Sequence, residues 1–327
     1  MRLLARVARL RKEEIVNLTD MEASPAPDVS VVIATRDRAD QVLTAGSILV
    51  EEGLALELVI VDQSDDDRSA EALARLSHDT RVRYLRMSGR GCSSGRNLGI
   101  REARSRIVLV TDDDCDLHPG SLRKLIEAFA QDPRIGIVFG SVLAAPHDPK
   151  TSFVVSGRQE ERRLVRSLWS KHRLEGLSAC MGVRRGVWET LHGFDETLGV
   201  GGRLKSGGET DFALRALLAG FWILGTPAIA VTHRGSRPIG ERRVTIQRYW
   251  YGTGAMFAKL IKQGHGSAAM HLLHLAFRFL LGRPSPVAAS VGADSRKWLR
   301  LVSFLKGFRA GTLARLDPET GHFVPGD

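Results

Sequence analysis

Cysteine is scarce in this chain, with Cys92, Cys115 and Cys180 the only three among 327 residues. Their odd number and the lack of any C-x-x-C spacing exclude a disulfide framework and a zinc ribbon. A reducing, cytoplasmic setting is the expectation. Long hydrophobic runs are missing as well. The greasiest stretch, Met270 to Leu281, is interrupted by His271, His274 and Arg278, and it falls short of the ~20 apolar residues that a bilayer span requires. Met1 to Leu10 offers neither a continuous apolar segment nor a small-residue cleavage site, so no secretory signal is expected. No G-x-x-x-x-G-K-[ST] run occurs, which removes a P-loop. Acids are the minority charge, 37 Asp and Glu against 47 Lys and Arg, and the net +10 favours anionic partners. The basic residues are dispersed and form no recognised binding module, so no nucleic-acid partner is expected.

What is present is a regular alternation of short apolar runs and helical patterns from Val29 onward. Val29 to Ala34, Glu57 to Val61, Val82 to Leu85 and Arg106 to Val110 are β-branched or leucine-rich runs bounded by polar turns, as buried parallel strands require. Asp67 to Leu76 and Ser94 to Arg104 have helical composition, and Leu122, Leu125, Ile126 and Phe129 recur at helical spacing. This order predicts an α/β fold with a mainly parallel central sheet flanked by helices. Further along, Ile135 to Leu143 and Ala179 to Val183 read as strands, and Gly199 to Gly208 as a glycine-rich loop. Asp211 to Ala219 reads as a helix, and Phe221 to Leu224 and Ala228 to Val231 as two short strands leading to His233.

Ligands of such sheets bind beyond the carboxyl ends of the strands, and the polar groups fall there. Thr35-Arg36-Asp37-Arg38 follows the first strand, Asp62-Gln63-Ser64-Asp65 the second, and Asp112-Asp113-Asp114-Cys115-Asp116 a later one. Crowded carboxylates repel one another, and burying them costs free energy unless a cation neutralises them. Hard oxygen donors at this density suit Mg²⁺ or Mn²⁺, which complete their shells with water and substrate phosphates. A calcium EF-hand does not fit, because Leu117 stands at the required glycine and Arg123 at the required glutamate.

These motifs, in this order, resemble the family 2 glycosyltransferases, inverting enzymes with the GT-A fold. Val29 to Arg38 is similar to the family's opening strand and turn, and Val59-Ile60-Val61-Asp62-Gln63-Ser64-Asp65 to its V-V-D-x-S segment. Gly95-Arg96-Asn97-Leu98-Gly99 resembles A-R-N-x-G, Thr111 to Asp114 the D-x-D, and Gly193-Phe194-Asp195-Glu196 the G-F-D-E. The resemblance implies a nucleotide-sugar-binding half at 28–145 and an acceptor-binding half at 146–254. Outside them lie a basic helix and linker at 1–27 and a helical extension at 255–327. It further implies a nucleoside-diphosphate sugar donor, a hydroxyl acceptor on a glycan or lipid-linked saccharide, and Mg²⁺ or Mn²⁺. Thr35, Arg36, Arg38, Asp62, Arg96, Asp112 and Asp113 would then contact the nucleotide, and Asp112, Asp114 and His233 the metal. The acid motif departs from the family's pattern: Gly208-Glu209-Thr210-Asp211 has one acid fewer than G-E-D-x-D. Either Glu209 or Asp211 is therefore the expected base.

Two other readings compete. Gly89 to Gly95 follows a strand and opens a helix, as in a dinucleotide-binding oxidoreductase, but its glycine spacing misses the fingerprint by one residue. The shortened acid motif also keeps open a nucleotide-sugar-binding protein without transfer activity. At the chain ends, residues 1–18 and Asp294 to Arg309 form basic amphipathic patterns. Trp298, Leu301, Val302, Leu305 and Phe308 share one helical face. Either these helices pack against the core with solvated basic faces, or they attach the protein peripherally to the anionic inner face of a membrane.

Overall fold

The computed structural model describes residues 26–44, 53–74, 79–280 and 297–326. The helix expected over residues 1–18 and the start of the expected C-terminal helix at 294–296 lie outside them.

Strands β1 (Val29–Thr35), β2 (Leu56–Asp62), β3 (Val82–Arg86) and β4 (Ile107–Asp112) lie side by side in parallel, in the order β3-β2-β1-β4. Side chains alternate across a strand, and both faces here are apolar. Val32, Val59, Val61, Val108 and Val110 enter one core and Val31, Ile33, Leu58, Ile60 and Leu109 another. Short helices α1 (Ala39–Thr44) and α2 (Arg68–Ala74) pack together, α3 (Cys92–Glu102) lies on β1 and β2, and α4 (Ser121–Ala130) covers the second core with Leu122, Leu125 and Phe129. The approach of α3 is close: a Cβ on Gly99 would strike Val32. Only glycine lets the helix settle there and carry Arg96 to the sheet's upper edge.

The sheet continues without a break into the second half. β5 (Cys115–Leu117), β6 (Ile135–Ala144), β9 (Cys180–Arg184) and β10 (Trp222–His233) extend the order to β3-β2-β1-β4-β9-β6-β10-β5. β9 runs antiparallel to β4 and β6, whereas β10 is parallel to β6. β8 (Arg163–Val165) pairs with β10, and β7 (Ser152–Val154) with β11 (Ser236–Pro238). Helices α5 (Leu168–Lys171), α6 (Arg185–Thr190) and α7 (Gly208–Leu218) flank this half. A helical region of α8 (Arg242–Lys262), α9 (Gly266–Leu280) and α10 (Lys297–Leu313) follows. The fold is thus a mixed, mostly parallel central sheet between helices.

Three local expectations change. The two short strands before His233 are one strand, β10, whose register slips between Gly225 and Ala230. Pro227, which has no N–H for the ladder, sits in the slip. Helix α7 begins at Gly208 rather than Asp211, after Gly207 with φ 92°, so Glu209 and Asp211 share its first turn. Helix α10 forms where expected but divides its apolar residues, with Phe304 and Phe308 packed against the core. Its buried residues are Arg300, Ser303, Gly307 and Gly311, while Trp298, Leu301 and Leu305 face outward. The cause is its contact with α8, so tight that a Cβ on Gly307 would collide with the Tyr251 carbonyl.

Candidate metal and nucleotide site

Parallel pairing aligns the ends of β1, β2 and β4, with Thr35 opposite Asp62 and Ala34 opposite Asp112. The polar turns therefore meet on one rim. Thr35 Oγ1 donates to Asp113 Oδ2 at 2.6 Å. Arg38 Nη1 donates to Asp113 Oδ1 and to Asp114 Oδ2, both at 2.9 Å. His233, at the end of β10, brings Nε2 to 3.2 Å from Asp114 Oδ1. Thr35, Arg38, Asp113, Asp114 and His233 are thus one connected network. A second group adjoins it: Arg96 Nη2 donates to Asp112 Oδ1 at 2.7 Å, and both lie within electrostatic reach of Glu209.

The charges are tuned unequally. Burial pushes the Asp114 carboxyl up, but the hydrogen bond and charge of His233, with Arg38, outweigh it and hold it below the usual carboxylate range. Burial wins at Asp113, which lies above that range despite Thr35 and Arg38. Glu209 is also raised, chiefly by burial, and Asp112 adds to this while Arg96 opposes it. A carboxyl raised in this way suits proton transfer near neutral pH.

Asp114, Cys115 and His233 place their donor atoms within 4.8 Å of one another. Burial drives the Cys115 thiol upward, and a thiol is a poor ligand where a thiolate would be a good one. Asp114 and His233 are therefore the useful pair. His233 Nδ1 donates to the Val155 carbonyl at 2.9 Å, which fixes the ring. Burial pushes the imidazole down, but Asp114 outweighs it and favours a proton on Nε2, and a bound cation would take that proton's place. Gly235 keeps the space open, since a Cβ there would lie 2.7 Å from His233 Nε2 and would overlap Asp114 Oδ2. The residues present fit a divalent cation bound by oxygen and imidazole.

Other expected residues stand apart. Arg36 turns to Asp65 at 3.1 Å and Asp37 at 3.4 Å. Asp62 is fully buried and accepts hydrogen bonds from the Ser64 backbone at 2.9 Å and from Tyr84 Oη at 2.8 Å. Asp112 faces Arg96 rather than the Asp114–His233 pair. Asp211 is sealed in the core, 2.6 Å from Lys259 Nζ and 2.9 Å from Arg215 Nε. Sequence reasoning gave Cys115 no role within the acid run and passed over Gly235. The adjacency of Cys115 to Asp114 and the glycine two residues after His233 were the available signals.

The mixed, mostly parallel sheet with its polar rim is a glycosyltransferase-like, GT-A-type fold, as the likeness to a solved glycosyltransferase shows. Residues 30–190 match the model of glycosyl transferase family 2, and the chain belongs to that family. Among curated proteins it is 38% identical over 103 residues to the succinoglycan biosynthesis protein ExoO of Rhizobium meliloti, a match spanning 31% of this chain and only 29% of ExoO. It is 26% identical over 285 residues to ExoU, named for the same biosynthesis in the same organism, covering 80% of this chain and 79% of ExoU. A solved mannosyltransferase, PcManGT from Pyrobaculum calidifontis in complex with GDP-Man and Mn²⁺, shares the fold. That likeness has a TM-score of 0.57 at 16% identity, over 90% of this chain and 91% of that one.

Proposed function

We propose that this chain is a divalent-metal-dependent, inverting glycosyltransferase that moves a sugar from a nucleoside-diphosphate sugar to a hydroxyl of a glycan or lipid-linked saccharide. The observation that carries the reading is the Asp114–His233 pair, with Nδ1 committed to Val155 and space kept by Gly235. The relatives named for succinoglycan biosynthesis and the neighbour holding GDP-Man and Mn²⁺ support a saccharide acceptor and a nucleotide-sugar donor.

In this reading Asp114 and His233 hold Mg²⁺ or Mn²⁺, with Asp112 facing the ribose. The cation supplies Lewis-acid stabilisation to the departing nucleoside diphosphate. Arg38 and Arg96, the cations of the two networks, turn toward the phosphates. Asp113 holds Arg38 in place, while Thr35, Arg36 and Asp62 shape the nucleotide pocket. Glu209 takes the proton of the acceptor hydroxyl as its oxygen attacks the anomeric carbon from the side opposite the diphosphate. The bond from carbon to phosphate oxygen breaks with its electron pair leaving on the diphosphate, and the configuration inverts. The burial of Asp211 between Lys259 and Arg215 speaks against it as the base and favours Glu209. The free cysteines suit a cytoplasmic reaction.

A thermal-shift panel tests this directly, because ligands that bind only the native state raise its stability by mass action. Nucleoside diphosphates should stabilise the protein, more so with Mn²⁺, and a nucleotide sugar with its acceptor should release the diphosphate. Stabilisation by NAD(P) and by no nucleoside diphosphate would overturn the reading. Binding without release would leave a nucleotide-sugar-binding protein.

A further inference from the structure

The charge of the chain is strongly partitioned. Between Glu241 and Asp317 stand thirteen Lys and Arg and a single acid, Asp294. The helical region therefore carries the whole positive excess, and the remainder of the chain is slightly acidic. Helices α8, α9 and α10 contain no acid at all.

Within this region α10 packs Phe304 and Phe308 against the core but leaves a second apolar stripe in the open. A soluble amphipathic helix buries its apolar stripe and exposes its polar one. Here Arg300, Ser303, Gly307 and Gly311 are buried against α8, while Trp298 is 75% exposed, Leu305 55% and Leu313 70%. Leu301 continues the stripe at 37%. Packing through small residues spaced four apart, so that backbones touch and large apolar side chains point away, is a habit of helices in lipid. Lys297, Lys306 and Arg309 are also exposed on this helix. Trp298 further borders a groove of ≈ 510 Å³ with Leu299, Ile239, Gly240 and Arg243, an apolar trough with a guanidinium on its wall.

We propose that the outer surface of α10, with the adjoining groove, docks on an anionic lipid bilayer. Trp298, Leu301 and Leu305 enter the headgroup and acyl boundary while Lys297, Lys306, Arg309 and Arg243 meet acidic headgroups. No helix among the described residues is long and apolar enough to cross a membrane, so the attachment is interfacial. A second copy of the chain fits this surface poorly, because the face it would bring is equally basic. Nucleic acid would satisfy the cations but gives the outward Trp and Leu side chains no hydrocarbon to enter. The inference is independent of the transfer chemistry, since none of these residues belongs to the rim.

Co-sedimentation of the full chain with vesicles tests it without reference to turnover. The protein should pellet with phosphatidylcholine vesicles containing phosphatidylglycerol, remain in solution with phosphatidylcholine alone, and dissociate as salt rises. Each surface cation should change partition by about five-fold, the equivalent of about 1 kcal/mol per Lys or Arg. The pair W298S/L305S and the pair K306E/R309E should each lose most of the binding while keeping native circular dichroism and melting temperature, because all four side chains are exposed. Failure of the wild type to pellet with acidic vesicles at low salt would overturn the proposal. So would undiminished pelleting of W298S/L305S, or a stable dimer in light scattering that these substitutions dissociate. Tighter binding to duplex DNA than to acidic vesicles, unaffected by W298S/L305S, would give the surface to nucleic acid instead.

Discussion

Two groups of acids lie on either side of helix α7, and they are treated oppositely. Asp195 and Asp211 are fully buried, and Lys259 Nζ reaches both, at 2.9 and 2.6 Å. Asp195 also accepts from the Thr197 hydroxyl and the Phe323 backbone, and Asp211 from Arg215. Asp112, Asp113, Asp114 and Glu209 occupy the rim, where Arg38 and Arg96 are the only cations paired with the three aspartates among the described residues, apart from His233. The first group is neutralised and closed to solvent. The second is short of positive charge, and a divalent ion with a phosphate ligand would complete it. The sealed acids belong to the packed core, and the under-compensated ones line the candidate site.

The comparison is broken most forcefully by exchanging the two acids of the first turn of α7. Glu209→Gln should leave donor binding near normal and lower turnover roughly 10²- to 10⁴-fold, the usual worth of a general base. Since burial raises the Glu209 carboxyl, the wild-type rate should fall with decreasing pH at values above the ordinary glutamate range. Asp211→Asn should instead lower the melting temperature, with turnover per folded molecule largely kept. The reverse pattern would make Asp211 the base.

Lys259→Met tests the sealed group. Removing one partner of a buried ion pair costs about 3–5 kcal/mol, and here two carboxylates lose their shared cation. Chemical denaturation should show a loss of at least that size, and a variant as stable as wild type would show that the network is ornamental.

The pH dependence of stability should be somewhat smaller. Asp195 is held down to about 2, where the charge of Lys259 and the hydrogen bonds from Phe323 and Thr197 outweigh burial. Its folded value lies below the unfolded one of about 3.9. Its stabilisation, about 2–3 kcal/mol, is therefore complete above the unfolded value and lost as pH falls from ~4 through ~2. Acid melting of wild type should be steeper in that window than that of Lys259→Met, and parallel curves would contradict the assignment. The smallest effect belongs to Gly235→Ala. Overpacking costs about 1–3 kcal/mol, so Mn²⁺ affinity should drop about ten-fold or more with the fold unchanged.

The strands and the rim were legible in the sequence because their signals are local. Runs such as Val29 to Ala34 name a buried strand, and parallel pairing then brings Thr35 and Asp112 to one edge without further information. What distinguishes Glu209 from Asp211 is not local. The two lie in one helical turn, and their difference comes from Lys259, a residue on another helix that reaches only one of them. Asp62 shows the same limit, since Tyr84 and Ser64 hold it in a fully buried place that no strand-end pattern reveals. The outward turn of α10 was illegible for a related reason. Its apolar stripe can be read as a packing face or as a lipid-facing one until the contact of Gly307 with the α8 backbone is known.

The assignment of the open rim to a cation that carries the nucleotide is tested most directly by calorimetric titration of Asp114→Asn with a nucleoside diphosphate, with and without Mn²⁺. The lost charge acts through the cation, so wild type should bind far more tightly when Mn²⁺ is added, and the variant should bind equally weakly in Mn²⁺ and in EDTA. An Mn²⁺ enhancement of the same size in wild type and variant would contradict the assignment.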